Sequence, residues 1–370
     1  MTPAATLAST TASAAESAAS TSASHSNPKL AGESIDTDSG DAVLIVGAGL
    51  AGFVAAYELT QAGRKVIFVE QEPYDAGQAW WSLGGIFLIN SPEQRRMGIK
   101  DSYELAKRDW FNSAQFDWPD TDDRWAIKWA EEYLKFASGP MREYLNKVGL
   151  GFMPNVGWAE RGSGSAGGHG NSVPRFHISW GTGPEVIRIF REPVLKAEKE
   201  GLVEFKFRHQ VDELLYDDAG TKVIGVRGTR LEPSSVDRGY ESTREAAGSF
   251  TLKGRAVIIA TGGIGGNTEL VREMWPVKTL GQCPKDFVLG VPKHVDGRML
   301  KIAQQAGANT VNKDRFWFYT EVSICSKSAI GPFTDSDRNL VFILTGPQEL
   351  EFHLGQPRDQ DHPWTFLVMA

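Results

Sequence analysis

Apolar and polar positions alternate along this chain in two distinct rhythms. Ala42-Val43-Leu44-Ile45-Val46 is an unbroken apolar run of β-formers and reads as a strand buried on both faces. It breaks at Gly47-Ala48-Gly49-Leu50-Ala51-Gly52. Phe53 to about Gln61 then reads as an amphipathic helix ended by Gly63, and Lys65 to Val69 as a second strand leading to Glu70. Far downstream, Ala256-Val257-Ile258-Ile259-Ala260 is another buried strand, ending in Thr261-Gly262-Gly263. Between them, Val203 to Phe207, Gln210 to Tyr216, Lys222 to Leu231 and Ser249 to Leu252 read as short strands with a turn signal at Asp217-Asp218-Ala219-Gly220, which predicts a β-meander. Ser91 to Val148 is mostly helical by pattern. Asp122-Asp123 is placed to cap the helix running to about Ala137, and Trp125, Trp129 and Tyr133 on that helix read as a core stripe.

The first forty residues follow neither rhythm. They are rich in Ser, Ala and Thr and nearly free of large apolar residues, so residues 1–40 read as a disordered tail. That tail holds no Arg and no apolar stretch of the secretory type. The length of 370 residues allows two domains. A net charge of -7 without a long basic run argues against nucleic acid as a partner. The two cysteines, Cys283 and Cys325, form neither a disulfide framework nor a metal-ligand spacing, so no metal is expected and a reducing, cytoplasmic setting fits. No apolar run approaches the roughly 20 residues of a membrane span.

The first strand–glycine–helix–strand unit carries chemistry. Gly47 allows a tight strand-to-helix turn, Gly49 lets the backbone approach a pyrophosphate, and Gly52 lets helix and strand pack closely. Leu50 and Ala51 open the helix, whose N-terminus offers free N–H groups and partial positive charge to phosphates. Glu70, with Gln71 beside it, closes the second strand and is placed to accept from a ribose hydroxyl. The unit is a Rossmann-type dinucleotide fingerprint. NAD and FAD both satisfy it, and the next segment favours FAD. Gly77-Gln78-Ala79-Trp80-Trp81-Ser82-Leu83-Gly84-Gly85 forms a second small-residue loop where NAD dehydrogenases run into another βα unit. There Gln78, Ala79, Ser82, Gly84 and Gly85 suit close approach to an extended flavin. Thr261, Gly262 and Gly263 end a strand that partners the first motif, and Val211 is either a backbone contact for adenine or a core valine.

Other positions admit two readings each. Arg175 and His177 alternate along a strand and so point the same way; a cation there suits polarising a substrate carbonyl, while His177 equally suits a structural role. Tyr319 is either a proton donor or acceptor or a core tyrosine of Phe316-Trp317-Phe318-Tyr319. Arg95 and Arg96 suit either an anion or a solvated surface, the glycine-rich stretch from Glu160 to Ser172 either a mobile loop or a linker, and Trp80 and Trp81 either the flavin or the substrate pocket.

Taken together, Gly47 to Gly52 with Glu70, the loop Gly77 to Gly85, Ser91-Pro92-Glu93-Gln94-Arg95-Arg96, Arg175-Phe176-His177 with Gly181-Thr182-Gly183, Thr261-Gly262-Gly263 and Asp296-Gly297-Arg298-Met299 resemble the fumarate reductase/succinate dehydrogenase flavoprotein superfamily, the FAD-dependent oxidoreductase 2 family. Within it the closer likeness is to the ketosteroid-dehydrogenase-like FAD-binding dehydrogenases, over about Asp41 to Glu321. The resemblance implies an α/β fold: a Rossmann-type FAD-binding domain over 41–266, interrupted by a helical insertion at about 91–150 and the β-meander, then the start of a substrate-capping domain at 267–322. It implies hydride transfer between a substrate carbon and flavin N5, with proton movement at the neighbouring carbon, giving C–C desaturation next to a carbonyl or the reverse, on a mainly apolar, steroid-like small-molecule carbonyl compound, and an electron acceptor that the residues do not name. Phe318-Tyr319-Thr320-Glu321 stands where fumarate reductases carry His-Pro-Thr-Gly, which argues against a dicarboxylate substrate. Residues 323–370 match no family pattern and end in the apolar run His362 to Ala370, so the expectation is a C-terminally truncated relative. Two rivals follow from the same residues: a non-catalytic flavin-binding remnant and an NAD-dependent dehydrogenase.

Overall fold

The computed structural model describes residues 34–114, 116–158, 170–285, 287–288, 290–315, 318–322 and 340–344. The chain enters through β1 (Ser34–Asp38) and passes at once into β2 (Val43–Val46), all four of whose residues are buried. Helix α1 (Leu50–Gln61) returns the chain to β3 (Val66–Glu70), parallel to β2 from Val43↔Val66 to Val46↔Val69. α1 buries Gly52, Phe53, Ala56 and Thr60, the one-sided spacing of a helix lying on a sheet.

The insertion after β3 begins with a short strand, β4 (Gly85–Phe87), and four helices: α2 (Pro92–Arg96), α3 (Tyr103–Ser113), α4 (Arg124–Ala137) and α5 (Pro140–Lys147). α2 starts with Pro92 inside a capping box, in which the Ser91 hydroxyl accepts from Gln94 N and the Gln94 side chain accepts from Ser91 N. Strands β5 (Phe152–Gly157) and β6 (Phe176–Ser179) complete a small antiparallel sheet in the order β4-β6-β5. Helix α6 (Thr182–Lys199) then packs beside α1 and leads to β7 (Val203–Phe207).

Strand β7 corrects the sequence pattern, which places Val203–Phe207 in the meander. It pairs in parallel with β3, Val66↔Val203 to Glu70↔Phe207, as the fourth strand of the main sheet. With β11 (Ala256–Ile259) parallel to β2 on the other side, that sheet runs β11-β2-β3-β7. Buried residues on its two faces make the main core. Phe68 stacks on Phe205 at 4.7 Å across β3 and β7, a non-local pairing that no window of sequence displays.

The second sheet holds β8 (His209–Tyr216), β9 (Val223–Leu231) and β10 (Ala246–Lys253) as an antiparallel meander. Its outer edge is β1, parallel to β10 from Ser34↔Ser249 to Asp38↔Lys253. The low-complexity tail therefore ends before Ser34. β1 is polar and exposed because an edge strand pairs through its backbone and needs no apolar face.

Beyond β11 lie α7 (Thr268–Met274), α8 (Val277–Leu280), β12 (Phe287–Val288) and α9 (Arg298–Gln305). Ile264, Val271, Trp275 and Leu300 form a second, smaller core there. α9 nevertheless rests on the first domain: Met299 and Ile302 belong to the main core, and the Tyr216 hydroxyl donates to the Ala306 carbonyl. β13 (Phe318–Val322) and β14 (Leu340–Leu344) pair antiparallel, with Tyr319 opposite Ile343.

Candidate cofactor cleft

A cleft of about 2120 Å³ opens at the carboxyl ends of β11, β2 and β3 and extends between α1 and the helical insertion. It is larger than the roughly 300–1,000 Å³ that a drug-sized ligand occupies, leaving room for an extended molecule and a second one. Ligands of open parallel sheets bind at this end of the strands.

The glycine loop is built for a close approach. Gly47 has φ +101°, and a side chain on it would meet the Ala260 carbonyl oxygen at 2.4 Å, so the turn presses against β11. A side chain on Gly52 would meet the Gly47 carbonyl oxygen at 2.3 Å; this residue seats α1 on the sheet and does not line the cleft. Gly49 has nothing within 4 Å of its would-be Cβ and lines the cleft with Gly47, Leu50 and Ala51. No side chain caps α1 and no carboxylate sits in its first turn. Its leading N–H groups thus point at the cleft without a protein acceptor, as an anion site requires.

Glu70 stands opposite. Its carboxylate accepts from Ala48 N at 2.7 Å and from Glu72 N at 2.9 Å, which ties the end of β3 to the glycine loop. Burial pushes its pKa up to about 7, against the lowering effect of these N–H donors; the charge of Glu72 raises it further. Gln71 also lines the cleft, as do Val211, Thr261, Gly262 and Gly263. Val211 is at the same time a buried member of the main core, so its two sequence readings are compatible.

In the second small-residue loop, Gln78, Ala79, Ser82 and Gly85 line the cleft, together with Trp81 and Leu83. Gly84 does not. It turns toward β6 and the start of α6, where a side chain would meet Ser179 Oγ at 2.4 Å. The Gly181-Thr182-Gly183 stretch lies directly behind this loop: Gly183 N donates to Ser82 O at 2.9 Å, and a Cβ on Gly183 would meet Ala79 O at 2.1 Å. The physical reason for these glycines is loop–helix packing.

Arg175 and His177 are fully buried. The Arg175 guanidinium reaches Asp101 through two bonds of 2.8 and 2.7 Å, Asp109 at 2.7 Å and Asn171 at 2.9 Å. Burial works against its charge, but the two aspartates outweigh that and hold its pKa up. Arg175 borders the cleft, yet its donors are committed to the wall. The His177 ring is engaged at both nitrogens, with the Arg175 carbonyl at 2.8 Å and Ser91 Oγ at 2.7 Å, and burial lowers its pKa, which keeps it neutral. Of its two sequence readings the geometry fits the structural one: it joins β6 to the cap of α2. Tyr319 lies in β13, and its side chain falls outside the described residues. Of the glycine-rich stretch from Glu160 to Ser172, only Gly170, Asn171 and Ser172 are among the described residues.

Helix α4 brings a further correction. Its buried stripe is Ala126, Ala130, Leu134 and Ala137. Trp129 instead lines the cleft, Tyr133 both packs against the core cluster of Ile89, Ala106, Leu134 and Ala137 and borders the cleft, and Trp125 carries Lys128 over its ring at 4.4 Å. Asp123 occupies the cap position without capping; it accepts from Trp118 N and Asn312 Nδ2, both at 2.8 Å. With Phe87, Trp110, Phe116 and Trp118, the α4 aromatics give the cleft one apolar wall. Arg95 is bound to the Asn90 carbonyl, and Arg96 pairs with Glu93, so both serve the α2 surface.

The sequence pattern does not display the strap at residues 232–245. Arg238 lies 4.6 Å from the rings of both Tyr74 and Trp80 and donates to the Asp75 carbonyl. Buried Glu72 accepts from Ser242 at 2.9 Å and pairs with Arg244, while Arg208 reaches Ser242 at 2.9 Å and the Gln71 carbonyl at 2.7 Å. Arg298 and His294 also line the cleft. Among the described residues no group of three His, Cys, Asp or Glu is placed to hold a metal, and no helix is long and apolar enough to cross a membrane.

With this geometry in hand, known proteins bear directly on it. A family model described as an FAD binding domain matches residues 42–324. A protein of Mycobacterium tuberculosis described as a KsdD-like steroid dehydrogenase is 50% identical over 323 residues, 87% of this chain and 54% of that protein. The chain thus spans about half the length of this curated relative. Among solved structures, a 3-ketosteroid-delta4-(5alpha)-dehydrogenase from Rhodococcus jostii superposes with a TM-score of 0.57 at 19% identity, over 76% of this chain and 56% of that one. The open conformation of a flavocytochrome c3 fumarate reductase gives 0.58 at 24%, over 79% and 45%. At these identities the two structures show a shared fold.

Proposed function

The chain belongs to the FAD-binding-domain family and binds FAD, and from that premise we propose that it serves a dehydrogenase acting on a mainly apolar, steroid-like carbonyl compound. The observation that carries the placement of FAD is the uncapped N-terminus of α1, open at Gly49 and faced by Glu70. The residues fit the cofactor. Backbone N–H groups of Gly49, Leu50 and Ala51 take the pyrophosphate, and Glu70 takes the adjoining ribose. Gln78, Ala79, Ser82 and Gly85 on one side, and Thr261, Gly262 and Gly263 on the other, border the remaining length. Bound FAD supplies a hydride acceptor or donor at N5.

The aromatic wall of α3 and α4 supports an apolar substrate. Trp110, Trp129 and Tyr133 offer flat apolar surface to the cleft that the glycine loop also lines. The 50% identity to a protein described as a KsdD-like steroid dehydrogenase points the same way. Arg175 holds that wall in place through Asp101 and Asp109. Tyr319 stays a candidate proton donor or acceptor on its sequence alone, its side chain lying outside the described residues.

A second reading, FAD binding without turnover, is favoured by one observation: Trp81, Trp118 and Trp129 remain 51%, 55% and 43% exposed, so among the described residues the substrate side of the cleft is uncovered. Purified protein separates the two. Yellow flavin absorbance that bleaches anaerobically with a 3-ketosteroid and returns with an artificial acceptor supports the dehydrogenase. Colour without bleaching supports the second reading, and a colourless protein that no FAD reconstitutes overturns both.

A further inference from the structure

The apolar wall of the cleft has two ends. Tyr133 of α4 stands at one of them, 6.0 Å from Phe87, the last residue of β4 and just past the loop assigned to the flavin. Asp123 stands at the other, immediately before α4 and about 15 Å along the helix axis from Tyr133. Ala126, Trp129 and Ala130 line the cleft between them. A ligand lying along this wall has one end at the flavin loop and the other at Asp123.

The remote end carries a directed polar group. Asp123 is fully buried, and its carboxylate accepts from Trp118 N and from Asn312 Nδ2, both at 2.8 Å. A carboxylate has no donor to offer an amide oxygen, so the Asn312 nitrogen must face Asp123 and Oδ1 must face away. Asn312 lines the cleft, and its Oδ1, which no described residue bonds, stays open to solvent. The backbone is held as well. Asn312 has φ +51°, and its carbonyl accepts from Arg315 N at 2.9 Å. The Arg315 side chain pairs with Asp117 at 2.7 Å and donates to the Ala114 carbonyl at 3.3 Å, which fastens this segment to the connection between α3 and α4. The apolar wall thus ends on a neutral acceptor fixed from both sides.

We infer that Asn312 is a specificity-determining residue, favouring an elongated apolar carbonyl compound with a hydroxyl at the end remote from its carbonyl. The carbonyl end lies at the flavin loop, because the reacting carbons adjoin it. The remote hydroxyl donates to Asn312 Oδ1. A ketone in its place sets one acceptor against another. The inference deepens the proposed substrate reading and rests on it.

The test is equilibrium dialysis of the FAD-loaded full chain with 1,4-androstadiene-3,17-dione and with the same compound carrying a hydroxyl in place of the 17-ketone. The ring beside the 3-ketone is already desaturated in both, so binding is read without turnover. The expected result is a preference for the hydroxyl compound of roughly threefold to tenfold. Asn312→Gly suits the positive φ and deletes the acceptor. It is expected to bring the ratio near one by weakening the hydroxyl compound alone. Should that variant shed its FAD, Asn312→Ser, which keeps a donor on the Asp123 side, serves in its place with the same expected ratio. Equal affinities in the unaltered protein, a preference that survives the substitution, or an equal weakening of both compounds overturns selection by Asn312 and leaves the steroid-like reading standing. Binding of neither compound overturns that reading and the inference with it.

Discussion

Gly49 has open space where a side chain would go, and that space is the cleft itself. Gly49→Val therefore leaves packing intact and fills the position of the pyrophosphate. The expected outcome is a folded, colourless protein; full flavin content in the purified variant would move the phosphates elsewhere. Glu70 gives a pH signature. Its folded pKa of about 7 lies above its ordinary value of 4.5, so the stability it contributes to the flavin-free protein is complete below about 4.5 and is lost as pH rises through about 7. Ribose hydroxyls donate to the ionised carboxylate and favour it, so FAD uptake releases a proton in the same window. Affinity of the flavin-free protein for FAD is expected to rise between about pH 5 and 7, and Glu70→Gln to flatten that rise. An unchanged slope in the variant would remove Glu70 from the linkage. The residues of this loop were readable in the sequence because each answers a local demand of the turn. Arg175 and His177 were not, because their partners Asp101, Asp109 and Ser91 lie 66 to 86 positions away.

At the scale of elements, the buried guanidinium of Arg175 fastens β6 to α3 and to the residue before its cap, through Asp109 and Asp101. Arg175→Met strands two buried carboxylates and is expected to cost about 3–5 kcal/mol in urea unfolding. A variant of normal stability that lost only turnover would restore the catalytic reading. Gly183→Ala tests the junction behind the flavin loop. Its Cβ would meet Ala79 O at 2.1 Å, so the loop must shift, at about 1–3 kcal/mol. Looser flavin retention should accompany that loss, and a variant that keeps both properties would show the junction to be slack. Helices and strands with local signals, such as α1, α2 and β2, follow the sequence pattern closely. β7 does not, since a short apolar strand carries no mark of which neighbour it joins. In α4 aromatic spacing pointed to a core stripe; Tyr133 does pack on that core, but alanines fill the close contact and leave Trp129 facing the cleft.

For the whole molecule, the cleft is the meeting place of layers that otherwise touch little through it. The parallel sheet supplies the glycine loop and Glu70, the insertion supplies the aromatic wall, and α9 reaches in from the segment after β11 with Arg298. The strap at 232–245 binds the meander to the loop after β3 through Arg238, Arg244 and Ser242. A cofactor lying along this cleft touches every one of these parts, and only the folded state brings them together. Binding must then appear as folding stability, growing as RT ln(1 + [FAD]/Kd) and reaching about 2.7 kcal/mol at a hundredfold excess over Kd. Urea unfolding of the flavin-free chain at stepped FAD concentrations should follow that logarithm, and Gly49→Val should not respond. A gain that ignores FAD concentration, or that appears equally in Gly49→Val, would place the cofactor outside the cleft that these layers enclose.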